Sequence, residues 1–241
     1  MDNVTPKHQY MGKEAIILAG GLGTRLRSIL TDTPKPMAPV NGEPFLCHVI
    51  NYLEQYGYDK ITLSVGYLHK AISDYFGHSY HNVSISYAIE EEPLGTGGGI
   101  ALSLAKCSND NVVVVNGDTL FKADINALER FHHEHDATLS IVLRHVDDTS
   151  RYGSVTIGKD GQITQFTEKG NASGPGLING GIYMLNKRLM GLPHPTRFSF
   201  EKDIMERHFT TERFYGIRSN AYFIDIGIPE DYCRAQSELK S

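Results

Sequence analysis

The stretch EAIILAGGLGTRLR, Glu14–Arg27, decides the architecture of this 241-residue chain. Its opening residues, Glu14–Leu18, form a short apolar run that reads as a buried strand, and the run ends directly in a glycine-rich turn. Gly20, Gly21 and Gly23 admit backbone angles closed to residues that carry a Cβ. A loop of this kind turns successive N–H groups toward one point and makes a nest for an anion. Arg25 adds a planar fork of donors that matches phosphate oxygens. Eight residues on comes TPKPMAPV, Thr33–Val40, where Pro34 and Pro36 stiffen the backbone on either side of Lys35 and hold its ammonium near the loop. The glycine spacing is neither GxGxxG with a distal acidic residue nor GxxxxGK[ST], which disfavours a dinucleotide site and a P-loop.

Outward from this loop, apolar runs alternate with helical patterns. Helices are predicted over Phe45–Tyr56, with Pro44 suited to its start, and over Leu68–Phe76, Thr96–Leu104 and Asp124–His135. Strands are predicted at Ile61–Val65, Val83–Ala88, Val112–Val115 and Thr138–Leu143. This alternation implies an α/β, Rossmann-like, mostly parallel sheet with helices on both faces. Later, Ser154–Ile157, Ile163–Thr167 and Gly181–Leu185 read as short strands between Gly/Asn/Asp turns, a small β meander laid over a substrate. Tyr222–Ile226 is a last strand, and a helix starts at Pro229. Residues 1–13 read as a loose tail and 14–241 as one domain, with halves of about 14–120 and 121–241.

Composition narrows the function. The chain carries 23 basic and 28 acidic residues, a formal net charge of −5, and no basic tract, which argues against a nucleic-acid partner. Small anions remain suitable ligands, because backbone dipoles hold phosphates on an acidic protein. Cys47, Cys107 and Cys233 are far apart and form no CxxC pair, which fits a reducing cytoplasm rather than a disulfide framework or zinc site. The polar start lacks an apolar signal core, and no apolar run approaches the ~18 residues of a membrane span. His132, His133 and His135 lie at the polar end of a helix and read as a solvated face rather than a metal cluster.

Two carboxylates stand at strand ends. VVVVNGDT, Val112–Thr119, closes a buried strand with Asp118, placed where α/β folds bind ligands, and Asp225 follows the apolar run of YFIDIG. A pair of carboxylates near phosphate oxygens suits Mg²⁺, which takes one or two protein carboxylates and keeps its waters. EEEPLGTGG, Glu90–Gly98, joins an acidic run to a glycine turn.

LAGGLGTRLR with PKPMAPV resembles the signature of the sugar-1-phosphate nucleotidyltransferases, and EEPLGTGG, NGDT, RYGSV, FTEKG, INGGIY, FSFEKDI and FIDIGIPEDY follow in the order of that family. Within it the chain is most similar to the group that transfers guanylyl to D-glycero-D-manno-heptose 1-phosphate. The resemblance implies a nucleotide-diphospho-sugar transferase type of fold and an enzyme whose substrates are a nucleoside triphosphate and a sugar 1-phosphate. It implies that Arg25, Lys35 and Asp118 are catalytic and that Asp118 and Asp225 hold Mg²⁺. Leu18, Ala19, Gly20, Gly21, Gly23 and Thr24, with Glu92, Gly95 and Thr96, would hold the nucleotide. Any of Glu90, Glu91 or Glu92 would accept from the donors of guanine. Gly153, Glu168, Lys169, Asn179 and Gly180 would line the sugar-phosphate side. The resemblance leaves uridylyl transfer to a hexose or amino-sugar phosphate, or an inactive nucleotide-sugar sensor, as other outcomes, and a homo-oligomer is compatible with it.

Overall fold

The computed structural model describes residues 12–21, 33–167 and 173–239. In chain order its first half comprises β1 (Lys13–Leu18), β2 (Pro39–Val40), β3 (Glu43–Pro44), α1 (Phe45–Gln55), β4 (Tyr58–Val65), α2 (His69–Phe76), β5 (Ser79–Tyr80), β6 (Val83–Ile89), α3 (Gly95–Leu104), β7 (Asn111–Asn116) and β8 (Thr119–Phe121). Then come α4 (Ile125–Glu134), β9 (Leu139–Val146), β10 (Ser154–Ile157), β11 (Ile163–Thr167), β12 (Gly176–Asn186), α5 (Glu206–His208), β13 (Phe214–Arg218), β14 (Phe223–Asp225) and α6 (Pro229–Glu238).

The sheet is mixed. Its centre is parallel, in the order β7-β1-β4-β6, with β1 pairing both β4 and β7. β12 then runs antiparallel to β7, and β9 and β10 are built onto β12. Strand β13, for which the sequence offered no signal strong enough to single it out, adds parallel to β9. Both faces of β1, β7 and most of β4 are buried, as a doubly covered sheet requires, whereas β6 turns alternate residues to solvent. Side chains alternate across it: Ala15, Ile17, Val113 and Val115 pack with α1, α4 and α6, whereas Ile16, Val112 and Val114 pack with α3 and the turn through Phe200–Met205.

Three expectations change. The β meander is not a separate layer: β10 and β11 extend the sheet edge, joined to it through Ser154 opposite Ile178 on β12. The helix at α3 begins one residue early, at Gly95, and its glycines have a packing reason. A Cβ on Gly97 would lie 2.2 Å from the Phe198 ring, and one on Gly95, at φ +78°, would lie 2.4 Å from the Phe198 carbonyl oxygen. The chain at 196–200 lies so close against α3 that side chains there have no room.

The third change concerns the histidines. His133 is exposed, but His132 is only 1 % exposed and points into the protein, so the three do not share a solvated face. Its Nε2–H donates to Asn111 Oδ1 (3.3 Å), which leaves Nδ1 to accept from the Ser140 hydroxyl (2.9 Å). The helical period, read from a sequence that runs into His133, Glu134 and His135, does not disclose that β7 and β9 present polar partners there.

Burial, reinforced by His133, holds the His132 imidazole down to about 4, from an ordinary value of 6.5. The unfolded chain therefore takes up a proton that the folded chain refuses as pH falls below about 6.5, and stability falls across that window down to about 4. Roughly 2 kcal/mol is lost between pH 7 and pH 5 on this account. Urea unfolding at the two pH values is expected to show His132→Gln losing that much less than the wild type; an equal loss would contradict the assignment.

Candidate active site

The site is assembled where the parallel strands end. β1 and β7 finish side by side, Leu18 opposite Asn116, and the chain beyond each opens into a loop at the same edge. Gly117 donates its N–H to the Leu18 carbonyl (2.9 Å), and a Cβ at Gly117 would sit 2.8 Å from that oxygen. Only glycine permits the contact, and it fixes where Asp118 emerges. Far along the sequence, β14 pairs antiparallel with β8, setting Asp225 opposite Thr119, while Ile226 N–H donates to the Asp118 carbonyl (3.0 Å). This two-stranded ribbon brings the two aspartates to one place.

Lys35 reaches the same place from a separate turn. Lys35–Met37 form a single 3₁₀ turn closed by Met37 N–H on the Pro34 carbonyl (2.8 Å), with Pro36 and Met37 buried. Anchored in this way, the lysine side chain is 11 % exposed. Its ammonium donates to Asp118 Oδ2 and lies 3.5 Å from Asp225 Oδ1. Burial raises the Asp225 carboxyl above its ordinary value, and the charge of Asp118 pushes the same way, while Lys35 opposes both. The Gly227 N–H also donates to Asp225 Oδ1 (2.8 Å), and a Cβ at Gly227 would meet both that oxygen and the lysine nitrogen.

Two cavities open on this cluster. One, of about 420 Å³, is walled by Leu18, Gly20 and Gly21 on one side and by Ser64, Glu90 and the start of α3 on the other. The second, about 320 Å³, is walled by Arg151, Tyr152, Gly153, Asn179, Gly180 and Phe223, with Asp225 at its floor. Lys35, Asn116, Asp118 and Glu201 line both, so the two spaces share one wall. That shared wall is where a group bound in one cavity meets a group bound in the other.

The residues singled out in the sequence distribute as follows. Leu18, Gly20, Gly21, Gly95 and Thr96 line the first cavity. Ala19 lies behind its wall, buried, with its N–H on the Ser64 carbonyl (2.8 Å). Glu92 is exposed and lines neither cavity; Glu90 takes the inward place, accepting from Leu94 N–H (2.9 Å) and the Ser64 hydroxyl (3.3 Å). A Cβ at Gly99 would lie within 2.8 Å of both the Ser64 hydroxyl and the Glu90 carboxylate, so this floor too needs glycine. Gly153, Asn179 and Gly180 line the second cavity, where Asn179 donates to the Tyr183 hydroxyl (2.8 Å). Gly23, Thr24, Arg25, Glu168 and Lys169 lie outside the described residues.

Several wall residues lie inside quoted motifs but were not singled out, Glu201 in FSFEKDI among them. Glu201 is fixed by Thr96, whose hydroxyl donates to it (2.7 Å), a contact across 105 positions that no local pattern announces. Asn116, Arg151 and Tyr152 sit inside NGDT and RYGSV, motifs whose neighbours drew attention instead.

The chemistry of the donor set suits a hard divalent cation. Asp118 and Asp225 already face one positive group, the Lys35 ammonium, and both offer carboxylate oxygen. Among the described residues no cluster of three or more His, Cys, Asp or Glu forms a closed cage. An ion on the two aspartates would therefore complete its shell with water and substrate oxygens.

Comparison with known proteins accords with this geometry. The family model described as "Nucleotidyl transferase" matches residues 14–241. The D-glycero-alpha-D-manno-heptose 1-phosphate guanylyltransferase of Aneurinibacillus thermoaerophilus is 48 % identical over 228 residues, covering 94 % of this chain and 98 % of that protein. Its namesake from Campylobacter jejuni is 40 % identical over 225 residues, 91 % of this chain and 96 % of that protein. The crystal structure of HddC from Yersinia pseudotuberculosis superposes with a TM-score of 0.85 at 40 % identity, covering 95 % of this chain and all of that one, and the same protein complexed with GMP-PN gives 0.84. On the match to the family model along nearly all of its length, this chain belongs to the nucleotidyl transferase family.

Proposed function

We propose that this protein condenses GTP with D-glycero-α-D-manno-heptose 1-phosphate to give GDP-heptose and pyrophosphate, in the cytoplasm, as a precursor for cell-surface glycan. The observation that carries the reaction type is the shared wall of two cavities at Lys35 and Asp118. A donor and an acceptor held in separate spaces meet there and nowhere else among the described residues. The substrates are supported by the likeness to the heptose 1-phosphate guanylyltransferases, which extends over nearly the full length of each.

A phosphate oxygen of the sugar 1-phosphate attacks the α-phosphorus of GTP, a new P–O bond forms, and the bond to the β-phosphate breaks with release of pyrophosphate. The nucleophile is anionic at neutral pH, so no general base is needed. The obstacle is the meeting of two polyanions, and the chain's contribution is positioning and charge neutralisation. Gly20 and Gly21 let the triphosphate approach the backbone at the end of β1. Lys35 neutralises charge at the transferring phosphoryl group. Asn179, with Gly153 leaving space, receives the sugar. Arg25 and Lys169 are assigned to the β/γ-phosphates and the sugar's phosphate by the family resemblance. Asp118 and Asp225 would hold Mg²⁺, which when bound supplies Lewis-acid polarisation of phosphoryl oxygens.

A pyrophosphate-release matrix tests the reading, with four nucleoside triphosphates against heptose, mannose and N-acetylhexosamine 1-phosphates. GTP with the heptose phosphate is expected to give the highest kcat/KM. UTP with an amino-sugar phosphate as the best pair would overturn the specificity, and no release with any pair would overturn the activity in favour of a sensor.

Asp118→Asn keeps the side-chain volume and removes the charge. Turnover is expected to fall by about 10²–10³-fold while the thermal unfolding curve shows a folded protein. Near-normal turnover at saturating Mg²⁺ would sink the assignment of Asp118.

A further inference from the structure

The second cavity presents an electrostatic difficulty. Its described walls carry three carboxylates, Asp118, Glu201 and Asp225, and the phosphate of a sugar 1-phosphate is itself a doubly charged anion. Among the described residues two cations line it, Lys35 and Arg151, and Lys35 is engaged with both aspartates; Lys169, assigned above to the same phosphate by the family resemblance, lies outside them. Arg151 is the other of the two, and its placement is fixed by distant structure.

Arg151 stands in the connection between β9 and β10, inside a turn closed by Tyr152 N–H on the Thr149 carbonyl (2.9 Å). Its Nη2 donates to Asp231 Oδ2 at 2.8 Å. Asp231 lies in the first turn of α6, is 7 % exposed, and gives its other oxygen to Arg234 at 2.9 Å. The carboxylate is thus held from two sides, and one edge of the Arg151 fork is held with it. The guanidinium carbon lies 5.3 Å from the centre of the Tyr152 ring, and Tyr152 in turn packs edge-on against Phe223, two residues before Asp225. The positive charge of Arg151 reaches Asp225, where it opposes the upward push of burial. A guanidinium carries five N–H donors, and a side chain 39 % exposed on a cavity wall can turn the remainder inward.

We propose that Arg151 binds the phosphate of the sugar 1-phosphate and that Asp231, braced by Arg234, is its positioning residue. The proposal rests on the functional reading above and names a residue that reading does not use. A planar fork pre-oriented by a buried carboxylate takes a phosphate in two parallel hydrogen bonds, at less ordering cost than a lysine. Asp225 lies 3.5 Å from Lys35, a residue of the wall shared with the nucleotide cavity, so a phosphate held by Arg151 beside Asp225 faces that wall, toward which its oxygen must attack.

Steady-state kinetics of the full chain test this, using GTP and the best sugar 1-phosphate of the wild-type panel, with calorimetric titration of that sugar phosphate alongside. Arg151→Ala is expected to raise KM for the sugar phosphate at least tenfold and to leave KM for GTP within about twofold. Arg151→Lys, which keeps the charge and loses the fork, should lie between. Asp231→Asn should raise the same KM by a smaller factor and add nothing in the Arg151→Ala background, a result that loss of structure alone would not produce. An unchanged sugar-phosphate KM in either Arg151 variant overturns the proposal. So does an equal rise in both KM values, or an Asp231 effect that persists in full without Arg151. A wild type that releases no pyrophosphate with any pair overturns the functional reading instead, so the two failures are distinct.

Discussion

The arrangement turns on one ionic contact, the Lys35 ammonium held against Asp118 and beside Asp225. Two partly buried carboxylates brought together repel, and burial already disfavours ionisation of Asp225. An opposite unit charge at about 4 Å offsets this by roughly 4 kcal/mol at an effective dielectric of 20, before desolvation is counted. The pair therefore needs a cation at all times. In the free protein that cation is the lysine; on the function proposed above, a divalent ion held by the same carboxylates would take over that charge and free the lysine for the phosphates.

The rest of the fold can be understood as what delivers these three side chains. Asp118 arrives at the carboxyl end of β7, because Gly117 allows the chain to turn against β1. Asp225 arrives through the β8–β14 ribbon. Lys35 arrives on a proline-bounded turn fixed by buried Met37. The glycines at the start of α3 play a different part. They admit the chain at 196–200 so closely that Glu201 and Thr96 join, and that contact closes the wall between the two cavities.

How much of this could be read from residues alone depended on whether the controlling force was local. Strand β7 was legible because four valines in a row have few alternatives to a doubly buried strand. Helix α4 was legible from its period and from Asp124, whose carboxylate caps it at Ala127 N–H (3.0 Å). The motifs around Gly20, Lys35, Asp118 and Asp225 pointed to parts of one place before any contact was known. What escaped were positions decided by distant partners. His132 looks like surface on its helix and is buried because Asn111 and Ser140 receive it. Glu90 rather than Glu92 faces the cavity, a choice made by the Leu94 amide and Ser64. Strand β13 exists by pairing with β9, and the π-helical turn at Phe200–Met205 by packing against α3.

The claim most exposed to test is that the lysine holds the cation's place between the two aspartates. Affinity for Mn²⁺ measured on the nucleotide-free protein, by electron paramagnetic resonance of the unbound ion, addresses it without any turnover. If the ammonium occupies that place, Lys35→Met removes a competing charge and leaves two carboxylates to be satisfied, and Mn²⁺ should bind about tenfold tighter or better than to the wild type. Equal or weaker binding in Lys35→Met would contradict the account.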